Sequence, residues 1–278
     1  MADGAVGLEQ KKAVALELND KSVAETFKLY HRKRFSIMAG MAEKPRFYDA
    51  TVTKIVFLSK TVKHFVLQYP KEADTSFIAG QFMMVYLEKE GKPHKKPYSI
   101  ASSPSLDHQI ELCIKLVEGG YVSTYFFNLK EDDVLKTSLP HGVFIVREPW
   151  QDNLVFVGTG TGIAPLRGMI QKLYERGCDK DIWLIFGNRY ETDILYHDEW
   201  LALEKSHKNF HYIPTVSRPA SWKGETIYVQ EIVKKTFAGR TQGLDFYGCG
   251  LVPMCKELKT ALLEMNIPKE YIHFEQFT

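Results

Sequence analysis

Cysteine is scarce in this chain and forms no metal-binding pattern. Four stand among 278 residues: Cys113, Cys178, Cys249 and Cys255. None belongs to a CxxC pair, and their spacing matches no zinc or iron–sulfur ligand set. A metal centre held by the chain itself is therefore not expected. Surplus charge is missing too: 36 basic residues face 34 acidic ones, a net charge of +2. Bulk electrostatics thus give no reason to expect a nucleic-acid or membrane-surface partner. No apolar run approaches the roughly 18 residues that a membrane span requires, so membrane insertion is not expected. The first residues lack the apolar stretch of a secretory signal. Low-complexity tracts and internal repeats are absent as well. With unpaired thiols, these absences lead to the expectation of a cytoplasmic protein.

What is present is a globular composition, 45% hydrophobic and 25% charged, which excludes disorder as the main state. A length of 278 residues exceeds one ordinary domain and suits two of roughly 100 to 150 residues. Residues 1–45 read as an extension. Ser22 and Glu25 have capping-box spacing there, which predicts a helix from about Ser22 with Val23, Phe27 and Tyr30 on its apolar face. Residues 46–149 read as short strands separated by Gly, Pro and Asp. Ile110, Leu112, Ile114 and Leu116 alternate with Glu111, Cys113 and Lys115, and Phe65, Leu67 and Tyr69 alternate in another segment. This pattern predicts a small antiparallel barrel. Residues 150–278 change character. Apolar runs at Leu154–Val157, Ile182–Phe186, Phe210–Pro214 and Leu244–Tyr247 are separated by helical patterns. A helix over 163–176 carries Leu166, Met169, Ile170 and Leu173 on one face, with Pro165 near its start and Gly177 at its end. Alternation of strand and helix predicts a parallel sheet with right-handed crossovers.

Five segments carry chemistry. Gly158-Thr159-Gly160-Thr161-Gly162, followed by Ala164-Pro165, ends an apolar strand and opens a helix. Backbone amides and the helix dipole bind phosphate in that setting, and glycine lets the backbone come close. The spacing is not the GxGxxG fingerprint. Lys96-Pro97-Tyr98-Ser99 places a cation two residues before an aromatic ring and a hydroxyl after it. Such a set suits a planar, phosphorylated ligand. Gly119-Gly120 followed by Ser123-Thr124 offers a second phosphate turn. Tyr247-Gly248-Cys249-Gly250 follows another strand and puts a thiol at the end of a sheet where open α/β folds bind ligands. Aromatic residues at Phe274 and Phe277 flank Glu275 at the end of the sequence and suggest a docked tail. Each segment also admits a plain reading: a simple turn, an exposed barrel tyrosine, an ordinary helix cap, a small buried cysteine, a core strand.

Taken in order, these segments resemble the ferredoxin–NADP reductase family of flavoproteins, from about Arg46 to Thr278. The resemblance implies an antiparallel Greek-key β-barrel that binds FAD, followed by an α/β parallel-sheet domain that binds NAD(P). FMN alone is the alternative flavin. It implies that Tyr98 stacks on the flavin, that Ser99 lies near flavin N5, and that Lys96 stands where the family usually has arginine, with Pro97 between. A lysine keeps the charge and loses the planar fork. Cys113 and Lys115 resemble the strand supporting the adenosine half of FAD, and Gly120, Ser123 and Thr124 the pyrophosphate turn. Gly160, Thr161, Gly162 and Pro165 resemble the seat of the nicotinamide nucleotide's pyrophosphate. Cys249 and Glu275 resemble the cysteine and carboxylate that work with Ser99 at the hydride-transfer point. Phe277 stands where plant-type members carry tyrosine, over the flavin face that nicotinamide must reach.

Ser217, Arg218 and Tyr228 resemble the pocket for the 2′-phosphate of NADP, although Thr226 replaces a lysine often found near it. NADP is the expected coenzyme, with NAD as the alternative. The implied activity is electron transfer between NADPH and an acidic one-electron carrier, ferredoxin or flavodoxin, through FAD, with hydride accepted at flavin N5. Lys92, Lys95 and Lys96 would steer such a carrier, or are simply solvated lysines. The alternative within the enzymes is an NADH-dependent reductase serving an oxygenase or cytochrome through a separate iron–sulfur partner. A different class of reading is a nucleotide-binding module without turnover. The joint presence of Tyr98, Ser99, Cys249 and Glu275 argues against it.

Overall fold

The structure, a computed structural model, describes residues 45–277. The helix expected near Ser22 and the rest of the extension through residue 44 lie outside the described residues.

The first half is a sheet of β1 (Arg46–Ser59), β2 (Val62–Gln68), β3 (Phe82–Lys89), β4 (Lys92–Ser99), β5 (Gln109–Lys115) and β6 (Val134–His141). The spatial order is β4-β3-β6-β1-β2-β5, with every neighbouring pair antiparallel. An antiparallel bridge from Ile100 to Leu112 brings the two outer strands together at one end, as expected of a barrel. Strict alternation drives the curling. Ile110, Leu112 and Ile114 of β5 meet Phe65, Leu67, Tyr69, Met83 and Val85 in one core. The β3–β4 hairpin turns on Glu90 and Gly91, both at positive φ (52° and 73°), the geometry of a tight two-residue turn. Helix α1 (Tyr121–Asn128) adds Val122 and Phe126 to the core, with Phe126 edge-on to Phe65 at 5.3 Å.

The second half interleaves β7 (Asn153–Thr159), α2 (Ile163–Glu175), β8 (Asp181–Asn188), α3 (His197–Ser206), β9 (Phe210–Val216), α4 (Val229–Thr236), β10 (Leu244–Leu251), α5 (Val252–Glu264) and β11 (Ile272–Phe277). Its sheet is parallel throughout, in the order β11-β10-β7-β8-β9. Both faces are covered, which explains why these strands read as unbroken apolar runs. Leu154 and Phe156 of β7 pack with Leu166, Met169, Ile170 and Leu173 of α2. Val155 and Val157 face the opposite way, toward Ile232 and Val233 of α4 and Leu258 and Leu262 of α5. The chain runs outward from β7 to β9 and returns to place β10 on β7's other side. The crevice beyond the ends of β7 and β10 is thus the topological switch point, where such sheets bind ligands.

One segment differs from the sequence reading. The sequence reading ends the apolar strand at Tyr247, with Gly248-Cys249-Gly250 after it, yet β10 continues through Leu251. The glycines here serve close packing. A Cβ on Gly248 would lie 2.2 Å from the Phe274 ring, and one on Gly250 would lie 2.3 Å from Thr159 Oγ1. Cys249 is therefore a strand residue, fully buried.

Candidate active site at the seam of the two sheets

Register places the chemistry on one level. Cys249 of β10 pairs with Gly158 of β7 on one side and with Glu275 of β11 on the other. From Gly158 the chain enters a single 3-10 turn, Gly160–Gly162, and then α2. Gly162 is half of a tight fit: a Cβ there would lie 2.2 Å from the Cys249 carbonyl oxygen and 2.9 Å from the Gly250 Cα. Only glycine lets the start of α2 come so close to β10. Gly160 instead takes a positive φ of 54° over open space. The turn thus leaves a clear approach to α2's first amides, and the Thr159 hydroxyl beside it is buried with no partner among the described residues. An orphaned donor and a glycine cradle at a helix start fit a nucleotide pyrophosphate. Thr161 is half-buried there, and Pro165 is buried in the first turn of α2.

The barrel supplies the facing wall. Ser99, the last residue of β4, is buried and donates its hydroxyl to Glu275 Oε2 at 2.9 Å. This bond joins the two halves beside Cys249. Burial pushes the Glu275 carboxyl above the usual glutamate range, and the Ser99 hydrogen bond offsets part of that shift. Burial also pushes the Cys249 thiol well up, reinforced by the nearby Glu275 and Cys255. Cys249 is thus a neutral thiol at any physiological pH, a compact polarisable wall and not a thiolate nucleophile. Phe277 is half-buried and packs on the core of the second half, in register with exposed Leu251.

Of the residues expected to hold a flavin, Tyr98 is half-buried, with its ring at 5.0 Å and 64° to Phe126 of α1. Burial raises its phenol to about 12, so it presents a neutral ring. Lys96 and Pro97 beside it are exposed, as is Thr124 in the first turn of α1. Gly120 caps that helix, and a Cβ there would lie 2.7 Å from Ser123 Oγ. The Ser123 hydroxyl is spent internally. It accepts from the Val117 amide at 3.1 Å and contacts the Val117 and Gly120 carbonyls. The structure therefore leaves α1's amides and Thr124 for a phosphate, and withdraws the Ser123 side chain. Cys113 needs a similar correction. Alternation along β5 turns it away from the barrel, into the core shared with the second half, at 6% exposure. Its thiol is sealed there and pushed up to about 12 by burial, so it lines no ligand surface. Lys115, next on that face, is exposed.

The far end of the crevice lies at β8 and β9. The Ser217 amide bonds to Asn188 O at 2.9 Å, and the Arg218 amide to Arg189 O at 2.8 Å. This brings two exposed arginines, Arg189 and Arg218, onto adjacent strand ends. Tyr228, 65% exposed, precedes α4. Arg189 was missed in reading the sequence. Its signal was available: an arginine directly after an apolar strand, at the carboxyl end where these sheets gather ligand groups.

A polar seam locks the halves together. Arg167 of α2 shares its single Nε–H between the two Glu199 carboxylate oxygens at 2.8 and 2.9 Å, and its Nη1 reaches the barrel at Ala101 O (2.8 Å) and Glu111 (2.5 Å). Its guanidinium lies over the Tyr196 ring at 4.7 Å. Neighbouring Gly168 is required, because a Cβ would lie 2.5 Å from Ser102 O. Sequence reading gave Arg167 no role, because its partners come from three separate segments.

Comparison with known proteins follows the same division. Residues 49–145 match the oxidoreductase FAD-binding domain family, and residues 156–260 the oxidoreductase NAD-binding domain family. Ferredoxin–NADP reductase B of Sorangium cellulosum is 32% identical over 240 residues, covering 83% of this chain and 97% of that one. The phenol hydroxylase P5 protein of Acinetobacter pittii is 34% identical over 253 residues, covering 87% and 70% respectively. The crystal structure of a ferredoxin NADP+ reductase from Neisseria gonorrhoeae, with bound FAD and NADP, aligns with a TM-score of 0.73 at 20% identity. It covers 84% of this chain and 99% of that one, and speaks to fold alone.

Proposed function

The chain belongs to the ferredoxin–NADP reductase family, and from that premise we propose that it passes electrons from NADPH through FAD to an acidic one-electron carrier, a ferredoxin or flavodoxin. The FAD- and NAD(P)-binding domains make it an electron-transfer oxidoreductase; the coenzyme preference and the carrier are the proposal. The observation that carries the reading is the Ser99–Glu275 bond, formed between the two halves beside Cys249 and the Gly158–Gly162 turn.

Bound FAD would supply the step between a two-electron donor and a one-electron acceptor. The protein's own groups bind, orient and exclude water. Tyr98 offers a flat neutral face, α1's first amides and Thr124 meet the flavin pyrophosphate, and Lys96 adds a point charge. The Gly158–Gly162 turn, with Thr161 and Pro165, seats the nicotinamide nucleotide. Ser99 and Glu275 hold one proton between them in a site that Cys249 keeps dry. Phe277 must swing aside for nicotinamide, a gate at the stacking position. Arg218, with Ser217, Tyr228 and Arg189, reads the 2′-phosphate. Lys92, Lys95 and Lys96 are all exposed on β4, which ends in Ser99, and can steer an acidic carrier to the flavin edge. Buried, unpaired thiols suit the reducing cytoplasm.

An anaerobic visible titration with NADPH and NADH in parallel tests this reading. The flavin band is expected to bleach at far lower NADPH than NADH. Absence of the band, even after FAD is added, would refute it. A lower requirement for NADH would favour a reductase serving an oxygenase or cytochrome, a reading motivated by the likeness to the phenol hydroxylase P5 protein. Arg218→Ala is expected to weaken NADPH roughly tenfold or more and to spare NADH, because it removes a charge-assisted contact that only the former makes. Equal loss for both coenzymes would show that Arg218 does not read the 2′-phosphate.

A further inference from the structure

The loop that presents Arg218 is tied at both ends, and within it Trp222 Nε1 donates to Glu225 O at 3.0 Å. At its start the Ser217 and Arg218 amides bond to the β8 end. At its finish the Val216 amide bonds to Glu225 O at 3.0 Å, and Thr215 Oγ1 donates to Ile227 O at 2.6 Å. Between these ties, the consecutive amides of Ala220, Ser221 and Trp222 converge on one atom, Glu191 Oε1, at 2.9, 2.5 and 2.9 Å. Three successive N–H groups pointing at one centre make an anion nest, and here the anion is the chain's own carboxylate. These bonds, foremost that from Ser221, hold the Glu191 carboxyl down at about 2. It is therefore ionised at any working pH, and its anchoring is lost only as pH falls through that value. Glu191 follows Arg189 by two residues, so a single short segment carries both an exposed arginine and the anchor of the other.

We propose that Glu191 is a positioning residue for coenzyme selection: by clamping residues 220–222 it holds Arg218 beside Arg189 and so sets the preference for a 2′-phosphorylated nucleotide. The inference rests on the reading of Ser217 and Arg218 as the 2′-phosphate pocket. Glu191 touches no coenzyme in this scheme. Its Oε1 is taken up by three backbone amides, and it acts through the loop.

The test compares wild type with Glu191→Ala, Glu191→Gln and Arg218→Ala in the FAD-loaded full chain. The readouts are KM and kcat for NADPH and NADH, thermal stabilisation by adenosine 2′,5′-bisphosphate, and amide exchange at residues 220–222. Glu191→Ala is expected to raise KM for NADPH roughly tenfold with little change for NADH, to weaken the bisphosphate similarly, and to speed exchange at the three amides. The change falls in KM more than in kcat. Glu191→Gln keeps an oxygen acceptor in place and is expected to recover part of each effect. Loss in Arg218→Ala with none in Glu191→Ala would overturn the positioning role and leave the pocket reading standing. No change in the bisphosphate response of Arg218→Ala would remove the pocket reading, and this inference with it. An equal loss for NADPH and NADH in Glu191→Ala would mean general loosening of the fold and would also overturn the role.

Discussion

Arg167→Ala is expected to cost about 3–5 kcal/mol of stability, a large share of the roughly 5–15 kcal/mol that a folded protein has in total. The guanidinium is 11% exposed and Glu111 18% exposed, so neither is cushioned by solvent. Burial alone would lower the Arg167 pKa. Glu199 and Glu111 outweigh it and hold the charge above the ordinary value. Removing the cation leaves the Glu111 carboxylate buried without a counter-ion. His64 sits 3.9 Å from Glu111; burial lowers its pKa against the raising effect of Glu111, and Arg167 lowers it further, a contribution that the substitution removes. The Ala101 carbonyl loses its donor as well. Arg167→Lys should recover only part of the loss, because one ammonium cannot reach Glu199, Glu111 and Ala101 with the geometry of a fork. Urea unfolding followed by fluorescence measures the difference. A loss under about 1 kcal/mol would show that the seam is not held by this charge. Arg167 lies on α2, which begins at the glycine turn, and it bonds to Ala101, two residues beyond Ser99. The same substitution should therefore also loosen the approach of the two binding sites.

Ser99→Ala is expected to lower the rate of flavin reduction by roughly 10²-fold, the usual effect of deleting one preorganised donor in a buried site. Affinity for NADPH should change far less, since Ser99 lies in the barrel and not in the nucleotide crevice. The pH dependence carries a sign. The Ser99 hydroxyl lowers the Glu275 pKa against the larger upward effect of burial. Deleting the hydroxyl removes the lowering contribution, so the Glu275 pKa should rise further. A pH profile of the single-turnover rate should then show the glutamate limb moving to higher pH in Ser99→Ala and disappearing in Glu275→Gln. A limb that stays in place in both variants would show that Glu275 does not govern the step. A raised pKa also means that the folded state retains the Glu275 proton more tightly than the unfolded chain. Its contribution to stability is fully present below the unfolded glutamate value and is lost as pH rises through the folded one.

Much of the architecture was legible from residue order. Periodicity of two in Ile110–Ile114 and unbroken apolar runs such as Leu154–Val157 are consequences of one-sided and two-sided burial, and either can be read without coordinates. The limits of helix α2 were written in Pro165 and Gly177, since each fits only one end of a helix. The glycine turn before it was legible for the same local reason. The full reach of β10 was not legible, because the apolar run stops at Tyr247 while the strand continues through Gly248, Cys249 and Gly250 to Leu251. Nothing local shows that Gly248 makes room for the Phe274 ring, which is contributed by a strand 26 positions later.

By itself the sequence determined which segments are strands, which are helices, and which short motifs have the chemistry of a nucleotide site, because those properties depend on neighbours within a few residues. Only the tertiary structure decided which of them act together. Ser99 and Glu275 are 176 positions apart and meet through the packing of two separate cores. Cys113 and Ser123 carried the right chemistry, but strand alternation sealed the one and a local turn consumed the other. Arg167 and Glu191 gained their roles entirely from partners that folding delivers. Charge and hydrogen bonding act over a few ångströms of space, and the chain's order does not record that distance.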